Sequence, residues 1–241
     1  MKKVIKIKDK AQLQQLITQE ISFNGSECDL NHLDVSQIRD MSVLFLGSVF
    51  NGNISGWDTS NVRNMSYMFY KSKFNQDILK WNTSSVVNMS NMFSSSCFNQ
   101  DLSKWNVSNV KTMNRMFENS PFNGDILAWN LKSLENMSYM FARTLFNKDI
   151  GSWDVSNVSA MYGVFMNSQF NQDLSNWNVV NVENIKAIFY NCCAPLPYWS
   201  QYEDKDKRQT AIREYKNTLI EKQRLESELS LGSTDFMICK I

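Results

Sequence analysis

Tryptophan recurs every 24 residues along this chain, at Trp57, Trp81, Trp105, Trp129, Trp153 and Trp177, with no insertion to break the step. Phenylalanine keeps the same step twice over, at Phe50, Phe74, Phe98, Phe122, Phe146 and Phe170, and again at Phe69, Phe93, Phe117, Phe141, Phe165 and Phe189. A methionine column, Met65, Met89, Met113, Met137 and Met161, closes with Ile185. One such unit cannot bury its own apolar face, so neighbours must stack, and the expectation is a solenoid. Asp29–Phe45 reads as a degenerate first copy with Leu33 in the Trp position, which gives seven repeats over residues 29–193.

Within a copy, Ile54, Trp57 and Thr59 have the spacing of inward residues on a short strand centred on the tryptophan. Ser60–Asn61 reads as a turn. Met65, Met68 and Phe69 fall at i, i+3 and i+4, which predicts a short helical turn. The expected fold class is therefore an α/β repeat solenoid, leucine-rich-repeat-like, with short parallel strands and short helical turns. Residues 1–28 are expected to cap its front: KVIKIK alternates as a strand, and Leu13, Leu16, Ile17 and Ile21 lie on one helical face. Residues 194–241 are expected to hold a proline-containing linker, a charged helix from about Glu203 to Leu229 and an apolar tail, FMICKI. That helix reads as a cap, a partner-binding helix or a weak coiled coil.

Two polar columns accompany the aromatic ones. Asn75, Asn99, Asn123, Asn147 and Asn171 each follow a Phe, and a buried amide ladder linking successive repeats is expected beside the Trp column. A mostly acidic column runs Asp29, Asn53, Asp77, Asp101, Asp125, Asp149 and Asp173. These residues are read as caps on backbone N–H groups, with a row of calcium sites as the alternative.

Lys and Arg number 25 against 24 Asp and Glu, a net charge of +1, which argues against a nucleic-acid or anionic-membrane partner. No stretch approaches the ~20 apolar residues of a membrane span, and the N-terminus lacks the apolar run of a secretory signal. The five cysteines have no repeat-locked spacing and read as reduced thiols. A cytoplasmic location is expected, with the bacterial surface as the alternative if a leader is missing. The only histidine is His32, and no H-E-x-x-H, P-loop or dinucleotide fingerprint occurs. The expectation is a non-enzymatic chain with no catalytic residues, metal or cofactor.

The repeat FNxDISxWDxSNVxNMSxMF resembles the BspA-type leucine-rich repeats of bacterial proteins, from Asp29 to about Asn191. The resemblance implies a leucine-rich-repeat solenoid that binds proteins, and many members are exported surface adhesins. Function is then sought in positions that vary between copies. Tyr67, Tyr70, Lys104, Lys111, Arg115, Glu118, Tyr139 and Tyr162 are the candidate partner-binding residues, because Tyr and Arg dominate interface hot spots. The expected function is a monomeric protein–protein interaction module for one protein partner, with an inhibitor, immunity or anti-defence protein as a more specific form. The alternatives are a surface adhesin and a structural or oligomeric scaffold.

Overall fold

The computed structural model describes residues 3–235, with side chains to residue 227. From Asp40 onward the backbone winds through coils of 24 residues, joined by parallel bridges from Asp40 to Asn64, Asn88, Thr112, Asn136, Ala160 and Asn184 in turn. At the first junction the N–H groups of Met41, Val43, Phe45 and Gly47 donate to the carbonyls of Asn64, Ser66, Met68 and Tyr70 at 2.7–3.1 Å. The same alternate-residue pattern repeats at each later junction, ending with Met161, Gly163, Phe165 and Asn167 on the coil of Asn184.

This ladder does not lie where the residue spacing suggests. Ser55–Gly56 is a turn, and the Trp57 N–H bonds Ile54 within its own coil. The tryptophans instead cross between coils through their side chains. The indole N–H groups of Trp57, Trp81, Trp105, Trp129 and Trp177 donate to carbonyls of the preceding coil at 2.9–3.1 Å. The Met65–Phe69 segment is not helical either. The N–H groups of Met68, Tyr70 and Ser72 bond the carbonyls three residues back, while those of Met65, Tyr67, Phe69 and Lys71 point to the next coil. A helix would consume all of these donors internally; consecutive tight turns free every second one for the ladder.

Such turns demand left-handed backbone. Val43, Tyr67, Asn91, Arg115, Tyr139 and Ala187 all have φ near +57°, as does Gly163 in the same column. A second column four residues on, Lys71, Ser95, Asn119, Arg143, Asn167 and Asn191, does the same. A residue with a Cβ loses roughly 1–2 kcal/mol in this conformation, and the ladder bonds offset it.

The inward side of each coil is apolar. Met65, Met68, Phe69 and Phe74 and their equivalents through the middle coils are fully buried. Rings of the Phe69 column stack between coils at centroid distances of 5.3–5.8 Å. The Phe50 column stands at 6.1–6.4 Å, and Trp57–Trp81, Trp81–Trp105 and Trp129–Trp153 at 6.3–6.5 Å.

Both ends are closed. β1 (Ile5–Lys6) pairs in parallel with β2 (Leu33–Asp34). α1 (Lys10–Asn24) is capped by Asp9, which accepts from the Gln12 N–H, and buries Leu13 and Ile17 on the first coil. Lys10 ties it to Asp40 and Ser42 at 2.9 and 2.6 Å. At the other end the segment expected to be a linker continues the core. Trp199, in the 3-10 helix Tyr198–Gln201, is fully buried, packs against Phe189 at 6.0 Å and donates to the Leu174 carbonyl at 3.3 Å. It takes the next place in the tryptophan column, 22 residues after Trp177 rather than 24.

α2 (Lys205–Asp235) then locks the end. Its Arg208 is fully buried and bonds the carbonyls of Tyr202, Glu203 and Val182. Burial lowers the pKa of Arg208, against the opposing pull of Glu183 and Asp204. Ile212 is buried and Tyr215 stacks on Tyr198 at 3.9 Å, whereas Leu219, Ile220 and Leu225 are exposed. The expected contribution of Leu229 and the FMICKI tail lie outside the described side chains and residues respectively.

Two substitutions test this account in urea unfolding. Trp105→Ala is expected to cost about 3–5 kcal/mol. Ser95→Gly is expected to stabilise by about 0.5–1 kcal/mol, because glycine removes the left-handed penalty and Ser95 is not in the core.

Candidate functional site

The polar side chains that recur in every coil are engaged with backbone. In the acidic column, Asp29, Asn53, Asp77, Asp101, Asp125, Asp149 and Asp173 each accept the N–H two residues on, at 2.7–3.1 Å. A second row, Asp34, Asp58, Asn82, Asn106, Asn130 and Asp154, does likewise. A third row does so on the ladder itself, through Asp40, Asn64, Asn88, Asn136 and Asn184. These Asx turns fix up to three corners of a coil; Thr112 and Ala160 interrupt the third row, and the Asn178 oxygen that would continue the second is buried without a partner. They are the capping role expected of the acidic column, while its calcium alternative finds no group of three His, Cys, Asp or Glu able to hold a metal among the described residues.

The Asn ladder is present but not buried. The side-chain oxygens of Asn51, Asn75, Asn99, Asn123 and Asn147 accept the N–H of the next member at 2.8–3.1 Å. These residues are half-buried or exposed, because the Phe beside them occupies the core and turns the amide outward. A second set of amides links the coils: Asn61, Asn109, Asn157 and Asn181 donate to carbonyls of the preceding coil at 2.7–2.8 Å.

What varies is displayed on the outer side of the ladder. Met65, Met68 and Phe69 face inward, whereas Tyr67, Tyr70 and Lys71 are half-buried or exposed; among their equivalents Arg115, Glu118, Tyr139 and Arg143 are likewise accessible, while Asn91, Ser94 and Ala142 are buried. Four of the candidate partner-binding residues meet there. Arg115 bonds Glu118 at 2.6 Å and lies over the Tyr139 ring at 4.0 Å. Tyr139 in turn packs against Tyr162, with centroids 5.1 Å apart. Glu118 also faces Arg143 at 3.7 Å. The ring of Tyr139 leans into the place a side chain at Gly163 would fill, where an added Cβ would stand 3.1 Å from the ring. Partial burial works against the Arg115 charge, but the hydrogen bond and charge of Glu118 outweigh it and raise its pKa. Burial raises the pKa of the Tyr139 hydroxyl, aided by Tyr162 and opposed by Arg115.

The remaining candidates sit apart from this cluster. Tyr67 and Tyr70 form an edge-on pair at 5.6 Å, with Lys71 beside Tyr70. Lys111 pairs with Glu135 at 3.0 Å, both largely exposed. Lys104 is exposed in the turn before Trp105, and the structure does not bring it to the others. Arg143 belongs to the cluster as well; its sequence signal is the variable column two residues after the Phe, Lys71, Ser95, Asn119, Arg143 and Asn167.

The model of the family described as "Mycoplasma protein of unknown function, DUF285" matches residues 11–121 and again 118–205. The chain belongs to this family. The matched span runs from α1 through the coils to the first residue of α2. No curated protein and no solved structure matches the chain. No helix among the described residues is long and apolar enough to cross a membrane.

The corner carboxylates set an acid limit on stability. Hydrogen bonds from Ser36, Ser156 and Ser175, from side chain first and then backbone, hold Asp34, Asp154 and Asp173 below their ordinary 3.8. A depressed folded-state pKa stabilises above the unfolded value and is lost as pH falls through the folded one. The melting temperature is therefore expected to decline from near pH 4 downward. Asp154→Asn, the residue that most coils carry in that row, should be neutral at pH 7 within about 0.5 kcal/mol and weaken the acid dependence. Asp154→Ala should cost about 1 kcal/mol at pH 7, by analogy with a lost helix cap, and less at acid pH, where the wild-type carboxylate has already lost its contribution.

Proposed function

We propose that this chain is a non-enzymatic protein–protein interaction module, a leucine-rich-repeat-like solenoid that binds a protein partner through the outer side of its ladder. The observation that carries this reading is the Arg115–Glu118–Tyr139–Tyr162–Arg143 cluster. It places two tyrosines and two arginines on a backbone held by bonds to the coils on both sides. Pre-ordered aromatic and guanidinium groups lose little conformational freedom on binding, which is why such residues dominate interface energetics. Arg115 is held in place by Glu118 while its face is stacked on Tyr139, and its remaining guanidinium N–H groups can meet a carboxylate or carbonyl of the partner. The recurring Asp and Asn side chains are bonded to backbone, which assigns them to the scaffold and leaves recognition to the variable columns.

The ladder adds support, since it sets equivalent positions of adjacent coils side by side and a partner there touches several coils at once. The reading extends to a chain that works as a monomer in the cytoplasm, without cofactor, nucleic acid or membrane.

Affinity purification with crosslinking mass spectrometry tests the proposal. Arg115→Ala and Tyr139→Ala are each expected to reduce partner recovery by about tenfold or more, whereas Lys104→Ala should change it less than about twofold. Recovery of no stoichiometric partner, or equal recovery with all three variants, would overturn it.

A further inference from the structure

The ladder stops at the last coil, and it stops with its donors unpaired. The carbonyls of Asn184, Lys186, Ile188 and Tyr190 accept from the coil before. Those of Ile185, Ala187 and Phe189 accept from Ile188, Tyr190 and Cys192 within the coil. The N–H groups of Ile185, Ala187, Phe189 and Asn191 correspond to the donors of every earlier junction, and among the described residues none of them has an acceptor. The edge therefore carries four donors at alternate residues, with every neighbouring carbonyl already accepting a bond. An ordinary sheet edge alternates donors and acceptors; this one selects a segment that offers carbonyls.

A groove of about 330 Å³ runs beside this row. Ile185, Ala187 and Phe189 form one wall, and Leu196, Pro197 and Tyr198 form the other. Leu196 is 73% exposed, which leaves an apolar side chain at the groove uncovered. Lys186 and Glu203 also line the groove, and their charged groups stand 3.7 Å apart.

We propose that this terminal edge is a docking site for a peptide segment of a protein partner. Alternate backbone carbonyls of the segment take the N–H groups of Ile185, Ala187, Phe189 and Asn191, and an apolar side chain sits against Leu196 and Tyr198. The complementarity is the one the molecule already uses six times: a row of carbonyls two residues apart placed on a row of N–H groups two residues apart. A peptide supplies both that row and an apolar side chain, in the manner of strand addition to an open edge. The site does not depend on the Arg115–Tyr139 cluster, so either can fail without the other.

Residue-resolved amide exchange on the full chain tests it, with a synthetic peptide of residues 136–143 as the probe. That segment is chosen because the carbonyls of Asn136, Ser138, Met140 and Ala142 fill the equivalent row of Met113, Arg115, Phe117 and Asn119. In the free chain the four terminal amides are expected to exchange at least ~100-fold faster than Met161, Gly163, Phe165 and Asn167. Adding peptide should slow all four together and leave Ile188 and Tyr190, already bonded, unchanged. Leu196→Asp should weaken the peptide's affinity about tenfold while leaving the free chain's exchange unaltered. Slow exchange of the four amides in the free chain would overturn the proposal. So would the absence of protection at millimolar peptide, or protection confined to another surface. Protection that rises with protein concentration and needs no peptide would overturn it in favour of a second copy of the chain as the occupant.

Discussion

Everything in the array depends on one hydrogen-bond pattern: alternate N–H groups of a coil donating to alternate carbonyls of the next. It fixes the spacing of the coils, and so how far apart the stacked Phe and Trp rings can stand. It also dictates the backbone. Because every second donor must leave the coil, the segment between Met65 and Ser72 cannot be a helix, and left-handed residues appear at two places per coil. Non-glycine side chains occupy nearly all of those places. The cost is spread along the stack and met by bonds that exist only when a neighbour is present, which makes the coils stable collectively.

The same pattern explains the ends and the outward strip together. A ladder of one-way bonds leaves unlike edges, acceptors at the front and donors at the back. The caps close the apolar core at each end: α1 with Leu13 and Ile17, and Trp199 with Arg208 and Ile212 at the other. Neither cap supplies acceptors to the last row of donors. On the outer side, the turns that serve the ladder also point Tyr67, Arg115 and Tyr139 away from the core, so the residues free to vary are those the scaffold holds most firmly. Arg115 and Tyr139 are 24 residues apart in sequence and in contact because they occupy the same place in adjacent coils.

Much of this was legible in the residues. The aromatic and methionine columns named the core, and the alternation and helical spacing near the N-terminus located β1 and α1. The acidic column had a capping role that the Asx turns display. The site was partly legible: Arg115, Glu118, Tyr139 and Tyr162 were picked for being variable and of the right chemical type, and they converge. Lys104 met both criteria and stands apart, because variability says nothing about which corner of a coil a residue occupies. Arg143 met both and was passed over. Trp199 was hidden by a two-residue shortening and two prolines, which disguise a place in the column that only the folded 3-10 helix restores.

The sequence alone determined the period, the buried columns and the order of the units, since a 24-residue step brings the same residues into register whatever path the backbone takes between them. The tertiary structure decided which segment of each coil carries the ladder. Apolar spacing reports which side chains face inward, and both the Trp segment and the Met–Phe segment have inward residues. Only the backbone dihedrals, set by the competition between helix bonds inside a coil and ladder bonds between coils, choose the second. With that choice came the outward strip, the contact of Arg115 with Tyr139, and a last row of N–H groups with no acceptor among the described residues.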